Sequence, residues 1–378
     1  MSGYAVKGWC PSALRPMLSG DGLLVRIRPR MACLSPDQAR GLAEAARHHG
    51  NSVIDLTARG AIQLRGISEA AHPALIDDLG ALGLVDPATE AARNLIVTPF
   101  WQSGDGTEPL ALALEQALQT AANLPDKFGV ALDCGSQPVL AGVSADIRVE
   151  RDATGGLIIR PDGAAFGRQV CSERVAEAVL DLARWFMASG GADQGRGRMA
   201  AHLAAATLPT GYTTPAAPAL AQPQPGPGPL GFCAGFEFGQ TRAEVLAGLA
   251  DAGQALRLTP WRMLLIEGAS AAPDLPGLIT APDDPRLRVT ACVGAPFCVQ
   301  GQQPTRDLAR RLAIVVPQGQ HLHVSGCAKG CAHPGPADMT LCGTAEGFAV
   351  IRNGKASAGG KVTPASYDAI SRHLLKAL

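Results

Sequence analysis

The sequence feature that most constrains the fold is a group of four cysteines in the last quarter of the chain. They form two close pairs, Cys292 with Cys298 in ACVGAPFCVQG and Cys327 with Cys331 in VSGCAKGCAHP. Four thiolates in two pairs can surround one metal centre, and ligation by four cysteines is typical of zinc or of an iron–sulfur cluster. The chain must therefore fold so that two separate loops meet.

The spacing within each pair favours the cluster. Zinc ribbons mostly use two-residue spacers, because a tight turn presents both sulfurs to one small ion. Spacers of five and three residues suit a larger cluster whose corners lie further apart. Small neighbours, among them Gly294, Gly326 and Gly330, would let backbone N–H groups approach the cluster sulfurs. We predict an iron–sulfur cluster here, with zinc and two unrelated pairs of buried cysteines as the alternatives.

The composition limits the class of protein. With 47% hydrophobic residues among 378, the chain is globular, and its zero net charge argues against bulk nucleic-acid binding. Cysteines are too few for a disulfide scaffold, and we recognise no signal peptide or membrane helix, so we expect a reducing cytoplasm. The cysteines outside the two pairs are expected to be small core residues: Cys10, Cys33, Cys134, Cys171, Cys233 and Cys342.

The chain carries a weak internal repeat. Periodicity over residues 23–82 predicts a strand, a helix at 36–49 with Ser35 as its N-cap, two further strands and a second helix, which is typical of part of a ferredoxin-like α+β unit. A similar order restarts after a proline-rich segment, 212–230, and LTPWRMLLIEG at 258–268 stands where LTARGAIQLRG stands at 56–66. We therefore predict two copies of one α+β unit joined by a linker, although two stretches this short can also align by chance.

Several motifs resemble those of the nitrite and sulfite reductase superfamily. Its cluster motif, C-x5-C and then C-x3-C in an SGC-x3-C-x2-P context, is similar to SGCAKGCAHP at 325–334. Its other segments, T-x-R-x3-Q, R-N-x4-P and L-P-x-K-F-K, are matched by Thr57, Arg59 and Gln63, by Arg93-Asn94 with Thr98-Pro99, and by LPDKF at 124–128. The resemblance implies an α+β fold with two ferredoxin-like half-modules, each followed by a larger α+β domain, in a pseudo-two-fold repeat.

The resemblance also implies a division of the chain into five segments. The first half-module is expected over 1–85 and a tetrapyrrole-contacting α+β domain over 86–211. The proline-rich linker over 212–230 then leads to the second half-module over 231–280 and to the α+β iron–sulfur domain over 281–378.

Two departures from the superfamily pattern point to one branch. The sulfite-reducing enzymes carry two lysines in the L-P-x-K-F-K segment, whereas Lys127 is followed here by Gly129 at the second position, and the chain is much shorter. Its opening, from Trp9-Cys10-Pro11 to Met17, and GLLVRIR at 22–28 resemble the precorrin-3B synthase family of the aerobic cobalamin pathway.

That branch implies an oxygen-dependent hydroxylation of precorrin-3A at C20 with γ-lactone formation. It implies a [4Fe-4S] cluster, a mononuclear non-haem iron and reducing equivalents from NADH. We find no dinucleotide-binding fingerprint, so we expect a separate reductase as electron donor. The alternatives are a sirohaem-dependent sulfite or nitrite reductase and a non-catalytic iron–sulfur electron carrier.

A precorrin carries many carboxylates, so its site should be basic. Residues 1–65 hold nine basic and four acidic side chains. Arginine binds carboxylates through two parallel hydrogen bonds, and Arg26 and Arg28 alternate on one strand and so share a face. A solvated strand face is the alternative. We predict that the substrate-binding residues are Arg26, Arg28, Arg59, Arg65, Arg93 and Lys127.

Candidate iron ligands lie near the second cysteine pair. Oxygen chemistry at a mononuclear iron commonly uses two histidines and one carboxylate. His321 and His323 alternate on one predicted strand, His333 follows Cys331, and Asp338 is close in sequence. We treat His321, His323 and His333 as candidate ligands, with hydrogen-bonded structural histidines as the alternative.

Overall fold

The computed structural model describes residues 11–86, 94–121, 123–135, 138–251, 255–364 and 366–375. In its first half the strands are β1 Met17–Ser19, β2 Gly22–Ile27, β3 Cys33–Leu34, β4 Val53–Leu56, β5 Ile62–Ile67, β6 Leu95–Val97, β7 Val130–Asp133, β8 Ile147–Arg151, β9 Leu157–Pro161, β10 Phe166–Gln169 and β11 Thr214–Pro215. In its second half they are β12 Gly226–Gly228, β13 Gly231–Phe236, β14 Gln240–Arg242, β15 Leu256–Leu258, β16 Met263–Glu267, β17 Leu278–Ile279, β18 Val289–Ala291, β19 Leu322–Ser325, β20 Ala337–Thr344, β21 Gly347–Gly354 and β22 Lys361–Thr363. The helices are α1 Pro36–His49, α2 His72–Ala81, α3 Thr107–Thr120, α4 Val175–Ala188, α5 Met199–His202, α6 Ala243–Asp251, α7 Arg306–Leu312 and α8 Tyr367–Leu375.

The first half-module is an antiparallel sheet in the order β1-β2-β5-β4-β14, with α1 and α2 packed on one face. Helix α1 has the bounds and the N-cap that the sequence predicts. Ser35 accepts from the Gln38 N–H while the Gln38 side chain accepts from the Ser35 N–H, and such a cap stabilises a helix by about 1 kcal/mol. Leu42 and Ala46 on its inner side are fully buried.

The second half-module repeats this arrangement, and the two copies exchange strands. Its sheet runs β12-β13-β16-β15-β3, so β3 of the first copy pairs with β15 of the second. In return, β14 of the second copy pairs with β4 of the first. Helices α1 and α6 contact each other, and both copies contribute to one hydrophobic core. The predicted repeat is therefore confirmed.

Matching turns show how closely the copies correspond. The Thr57 hydroxyl accepts from the N–H groups two and four residues ahead, and the Thr259 hydroxyl does the same. Gly60 and Arg262, at equivalent places in these turns, both have a φ of 60°. A short 3-10 turn follows the first long strand of each copy, with Met31 and Phe238 in the left-handed region.

The two remaining sheets share one topology. In the sheet ordered β6-β7-β8-β9-β10, the first three strands pair in parallel, and β9 and β10 then continue the sheet with antiparallel pairs. The sheet ordered β18-β19-β20-β21-β22 has the same pattern of parallel and antiparallel pairs. Helices α3 and α4 pack on the first of these sheets, and α7 and α8 on the second. This architecture confirms the predicted α+β fold with a pseudo-two-fold repeat.

The proline-rich segment is anchored at both ends. Its β11 pairs with β10, and its β12 pairs with β13, so the segment adds an edge strand to a sheet in each half of the chain. Among the described residues, no helix is both long and apolar enough to span a bilayer.

Candidate functional site

The two cysteine loops begin at one sheet edge. Strands β18 and β19 are parallel neighbours, with Ala291 paired to Val324, so their carboxyl ends lie side by side. Cys292 directly follows β18, and its N–H donates to the Val324 carbonyl at 3.2 Å. Cys327 lies two residues beyond β19. The fold therefore brings the two predicted cysteine pairs to one edge.

Glycines allow these loops to pack against each other. A Cβ added to Gly326 would lie 3.0 Å from the Gly294 Cα, and one added to Gly294 would lie 2.7 Å from the Thr305 hydroxyl oxygen. The Gly326 N–H donates to the Cys292 Sγ at 3.1 Å. A side chain at Gly326 would separate the loops, one at Gly294 would collide with Thr305, and the Gly326 N–H is a donor of the kind that stabilises thiolate sulfur.

The four thiols form one electrostatic group. All four are free, and burial raises the pKa of the Cys327 thiol, with Cys298 and Cys292 adding to the shift. Burial also raises the pKa of Cys331, which the other three cysteines reinforce and Lys329 opposes. Within the described residues, no group of three or more His, Cys, Asp or Glu side chains is arranged to hold a single metal ion.

The three candidate histidines lie together. The His333 ring is 4.6 Å from the His321 ring and 5.6 Å from the His323 ring, measured between centroids. The Nε2 of His321 faces the Thr290 hydroxyl at 2.8 Å, and that of His333 faces the Pro336 carbonyl at 3.0 Å. His321 and His333 each thus have one ring nitrogen engaged by a protein group.

His323 differs from the other two because it is fully buried and neither ring nitrogen has a hydrogen-bond partner. Burial and the neighbouring histidines lower its pKa to about 3 and that of His321 to about 4, so both rings are neutral. The assignment of these histidines to a mononuclear iron stays a prediction.

The outer face of the first sheet carries a polar row. Register places Arg26 beside Gln63, Gln63 beside Asp55, and Asp55 beside Gln240, across four strands. With its amide oxygen turned towards Arg26, Gln63 accepts at 2.8 Å, and Gln240 donates to Asp55 at 2.9 Å. Asp55 and Gln240 were not predicted from the sequence, although Asp55 stands between the apolar Ile54 and Leu56 of β4 and therefore points to the opposite face of the sheet.

A cleft of about 370 Å³ lies between the half-modules and the sheet that contains β6. Arg28 and Arg59, both predicted to bind substrate, line it together, and Pro260 of the second copy completes the same wall. Arg59 donates to the Lys127 carbonyl at 3.3 Å, whereas the Lys127 side chain is exposed and lies outside the lining of this cleft. The other polar side chains of the lining are Arg30, Asp86, Glu115, Gln116 and Gln119.

Arg65 is placed differently from the other predicted arginines. Its side chain is 5% exposed and donates to both carboxylate oxygens of Asp21 at 2.9 Å. It also pairs with Asp55 at 3.4 Å. These carboxylates already occupy the guanidinium, so the geometry favours a structural role over the predicted contact with substrate. Arg93, and the Trp9-Cys10 part of the opening motif, lie outside the described residues.

Comparison with known proteins agrees with this architecture. Residues 15–82 match the family model of the nitrite/sulfite reductase ferredoxin-like half domain. A precorrin-3B synthase from Sinorhizobium sp is 32% identical over 93% of this chain and 84% of the relative. A ferredoxin–nitrite reductase from Synechococcus elongatus is 29% identical over 34% of this chain and 27% of the relative.

The solved structure of the NirA protein of Mycobacterium tuberculosis has a similar fold. It superposes with a TM-score of 0.65 over 93% of this chain and 79% of that protein, at 20% sequence identity. At that identity the similarity concerns the fold alone.

Proposed function

The chain belongs to the precorrin-3B synthase family of the nitrite and sulfite reductase superfamily, and we propose that it converts precorrin-3A to precorrin-3B. The membership makes it an oxidoreductase enzyme of cobalamin biosynthesis. In the proposed reaction, carbon C20 is hydroxylated and a γ-lactone forms from the ring A acetate. One atom of dioxygen enters the product, and the other leaves as water with two electrons and two protons.

The observation that carries this proposal is the arginine-lined cleft. Arg28 and Arg59 come from separate segments of the first half-module and meet where the cleft opens to the next sheet. A tetrapyrrole with several carboxylates needs such fixed guanidinium groups, because each can bind a carboxylate through two parallel hydrogen bonds. The volume of about 370 Å³ lies within the range of ordinary ligand sites.

Cys292, Cys298, Cys327 and Cys331 would hold the [4Fe-4S] cluster, which supplies single-electron transfer when bound. The chain's own contribution is to present the four thiols from two loops, and to direct the Gly326 N–H at the Cys292 sulfur. Electrons are proposed to come from NADH through a separate reductase. His321, His323 and His333 remain candidate ligands of a mononuclear iron, and we assign no step to that metal.

A single-turnover experiment tests the reaction. The anaerobically reconstituted protein is mixed with precorrin-3A, NADH and a competent reductase, and labelled dioxygen is then admitted. We expect a product heavier by one labelled oxygen atom. Unchanged precorrin-3A, with the cluster reduced and oxygen consumed elsewhere, would contradict the proposal.

The alternative of a sirohaem-dependent reductase meets an obstacle at Gly129. This residue is buried, its N–H donates to Asp146 at 2.9 Å, and an added Cβ would lie 3.2 Å from the Asn94 carbonyl oxygen. The second lysine of the anion-reducing enzymes therefore has little room here. An intense sirohaem absorption band in the purified protein would restore this alternative.

A further inference from the structure

One backbone carbonyl in the first cysteine loop accepts hydrogen bonds from three groups of the first half-module. The carbonyl belongs to Phe297, the residue before Cys298. It accepts from the Gly20 N–H at 3.0 Å, from the Ser19 hydroxyl at 2.7 Å and from the Arg65 guanidinium at 3.4 Å. Three donors from the first half-module therefore converge on one carbonyl of the cysteine loop.

Arg65 also fixes the direction of the Ser19 hydrogen bond. Its Nη2 donates to the Ser19 oxygen at 2.9 Å, and a guanidinium has donors only. The Ser19 oxygen must therefore accept from Arg65, which leaves its proton for the Phe297 carbonyl. The bidentate pair with Asp21 holds Arg65 beneath the turn between β1 and β2.

The loop depends on these hydrogen bonds because its own apolar side chains do not anchor it. The side chains of Phe297 and Val299 are 48% and 71% exposed. At the other end of the same peptide group, the Cys298 N–H donates to the Gly294 carbonyl at 2.7 Å. Gly20 packs so closely that an added Cβ would lie 2.3 Å from the Pro296 oxygen. The peptide that leads into Cys298 is thus held on both sides.

We propose that Ser19 and Arg65 are positioning residues for Cys298. They hold the peptide between Phe297 and Cys298 so that the Cys298 sulfur stays at its corner of the cluster. The turn between β1 and β2 thereby controls how firmly the cluster is retained. This inference rests on the proposed cluster and is independent of the proposed substrate.

The test measures cluster loss under a chelator in reconstituted protein, without turnover. Ser19→Ala removes the hydroxyl donor, and we expect loss of the cluster absorption roughly five- to tenfold faster, the effect of about one hydrogen bond. Ser19→Thr keeps a hydroxyl and should restore the rate of the unaltered protein. In the apo protein, the alkylation rate of the Cys298 thiol, relative to Cys331, should rise by a similar factor in Ser19→Ala.

The chain supplies a matched control in Arg257, a buried arginine of the second copy. It is 4% exposed, pairs with Glu267 and donates to the carbonyls of Pro99 and Trp101, so Arg257→Lys perturbs a comparable network away from the four cluster cysteines. We expect it to leave cluster loss unchanged. The proposal would be overturned if Arg257→Lys accelerated cluster loss as much as Ser19→Ala does, or if Ser19→Ala did not accelerate it. The alkylation experiment decides the question even if no cluster can be loaded.

Discussion

The two half-modules share a frame but differ on their outer faces. Across four neighbouring strands the first copy places Arg26, Gln63, Asp55 and Gln240. At the equivalent positions the second copy places Cys233, Leu265, Arg257 and Cys33. Leu265 and Cys233 are buried, and burial raises the pKa of the Cys233 thiol to about 11. The continuous polar row therefore belongs to the first copy.

Ion pairs of opposite polarity hold equivalent places in the two copies. Asp55 and Arg65 bridge the first hairpin, whereas Arg257 and Glu267 bridge the second. The turn after the first long strand pairs with α3 through Arg30 and Glu115 in one half, and with α7 through Glu237 and Arg310 in the other. Each of these positions therefore holds a pair of opposite charges in both copies, but the acidic and basic partners are exchanged.

The two parallel sheets differ where their strands end. In one sheet, Cys292 follows β18 and Cys327 lies beyond β19. In the other sheet, Thr98 follows β6, where Cys292 follows β18. Asp133 is the last residue of β7, and its carboxylate accepts hydrogen bonds from the Val139 and Leu140 N–H groups. Burial raises the pKa of Asp133 to about 6. One copy thus presents thiols at an edge where the other places a buried carboxyl group.

The largest effect is expected from the cysteines themselves. Cys327→Ser should reduce iron content after reconstitution to about a tenth of the normal value, because metal affinity depends on the full ligand set. The control is Cys342→Ser, which alters a buried thiol at the position that Glu150 holds in the other sheet. Iron and sulfide analysis measures both variants. Equal loss of iron in the two variants would contradict the expected difference between Cys327 and Cys342.

The next largest effect concerns substrate binding. Arg59→Met should raise the KM for precorrin-3A at least about tenfold, because a hydrogen bond to a charged group contributes about 1.5–3 kcal/mol. The equivalent residue of the second copy is Trp261, which packs near Phe100. Trp261→Phe should leave the KM unchanged. If the KM rose equally in both variants, Arg59 would contribute no more to substrate binding than its equivalent residue in the second copy.

The pH dependence of stability tests the carboxyl group at the end of β7. Because the pKa of Asp133 is raised from 3.8 to about 6, the folded chain binds more protons than the unfolded chain in that window. The contribution of Asp133 to the free energy of unfolding is therefore largest at low pH and is lost as the pH rises through about 6. Asp133→Asn removes this dependence.

Denaturant unfolding of both proteins at about pH 4.5 and pH 7.5 measures that change. The free energy of unfolding of Asp133→Asn, relative to that of the parent protein, should rise by roughly 2 kcal/mol from the lower to the higher pH, since one pKa unit corresponds to about 1.4 kcal/mol. A difference between the two proteins that does not vary with pH would contradict the raised pKa.

The smallest effects belong to the exposed ion pairs. Arg30 is 68% exposed and Arg310 is 52% exposed, so Arg30→Ala and Arg310→Ala should each change the free energy of unfolding by less than about 1 kcal/mol. Thermal unfolding at low and high salt measures both. A loss well above this value in one variant alone would show that the two pairs are not equivalent.

Local signals in the sequence predicted much of this frame. The Ser35 N-cap marked the start of α1, and the similar stretches at 56–66 and 258–268 identified the two equivalent hairpins. The exchange of β3 and β14 was not predictable, because strands of two and three residues carry almost no periodic signal. Their pairing depends on contacts between distant segments.

The candidate site shows the same limit. Sequence motifs identified Arg59 and the cysteines, whose chemistry and spacing are visible in the chain. The partners of Arg65 were not visible, because Asp21 and Phe297 reach it only through the tertiary fold. The histidines likewise had suitable spacing, but spacing says nothing about Thr290 and Pro336, which engage the ring nitrogens of His321 and His333.

Because of the strand exchange, each half of the molecule contributes one strand to the sheet of the other half. A cut within the proline-rich segment would leave β3 on the fragment that lacks its partner β15, and β14 on the fragment that lacks β4. Each fragment would then display an unpaired sheet edge that only the other fragment completes. The fold is therefore suited to a split-protein design, in which two separately produced pieces regain structure only upon meeting.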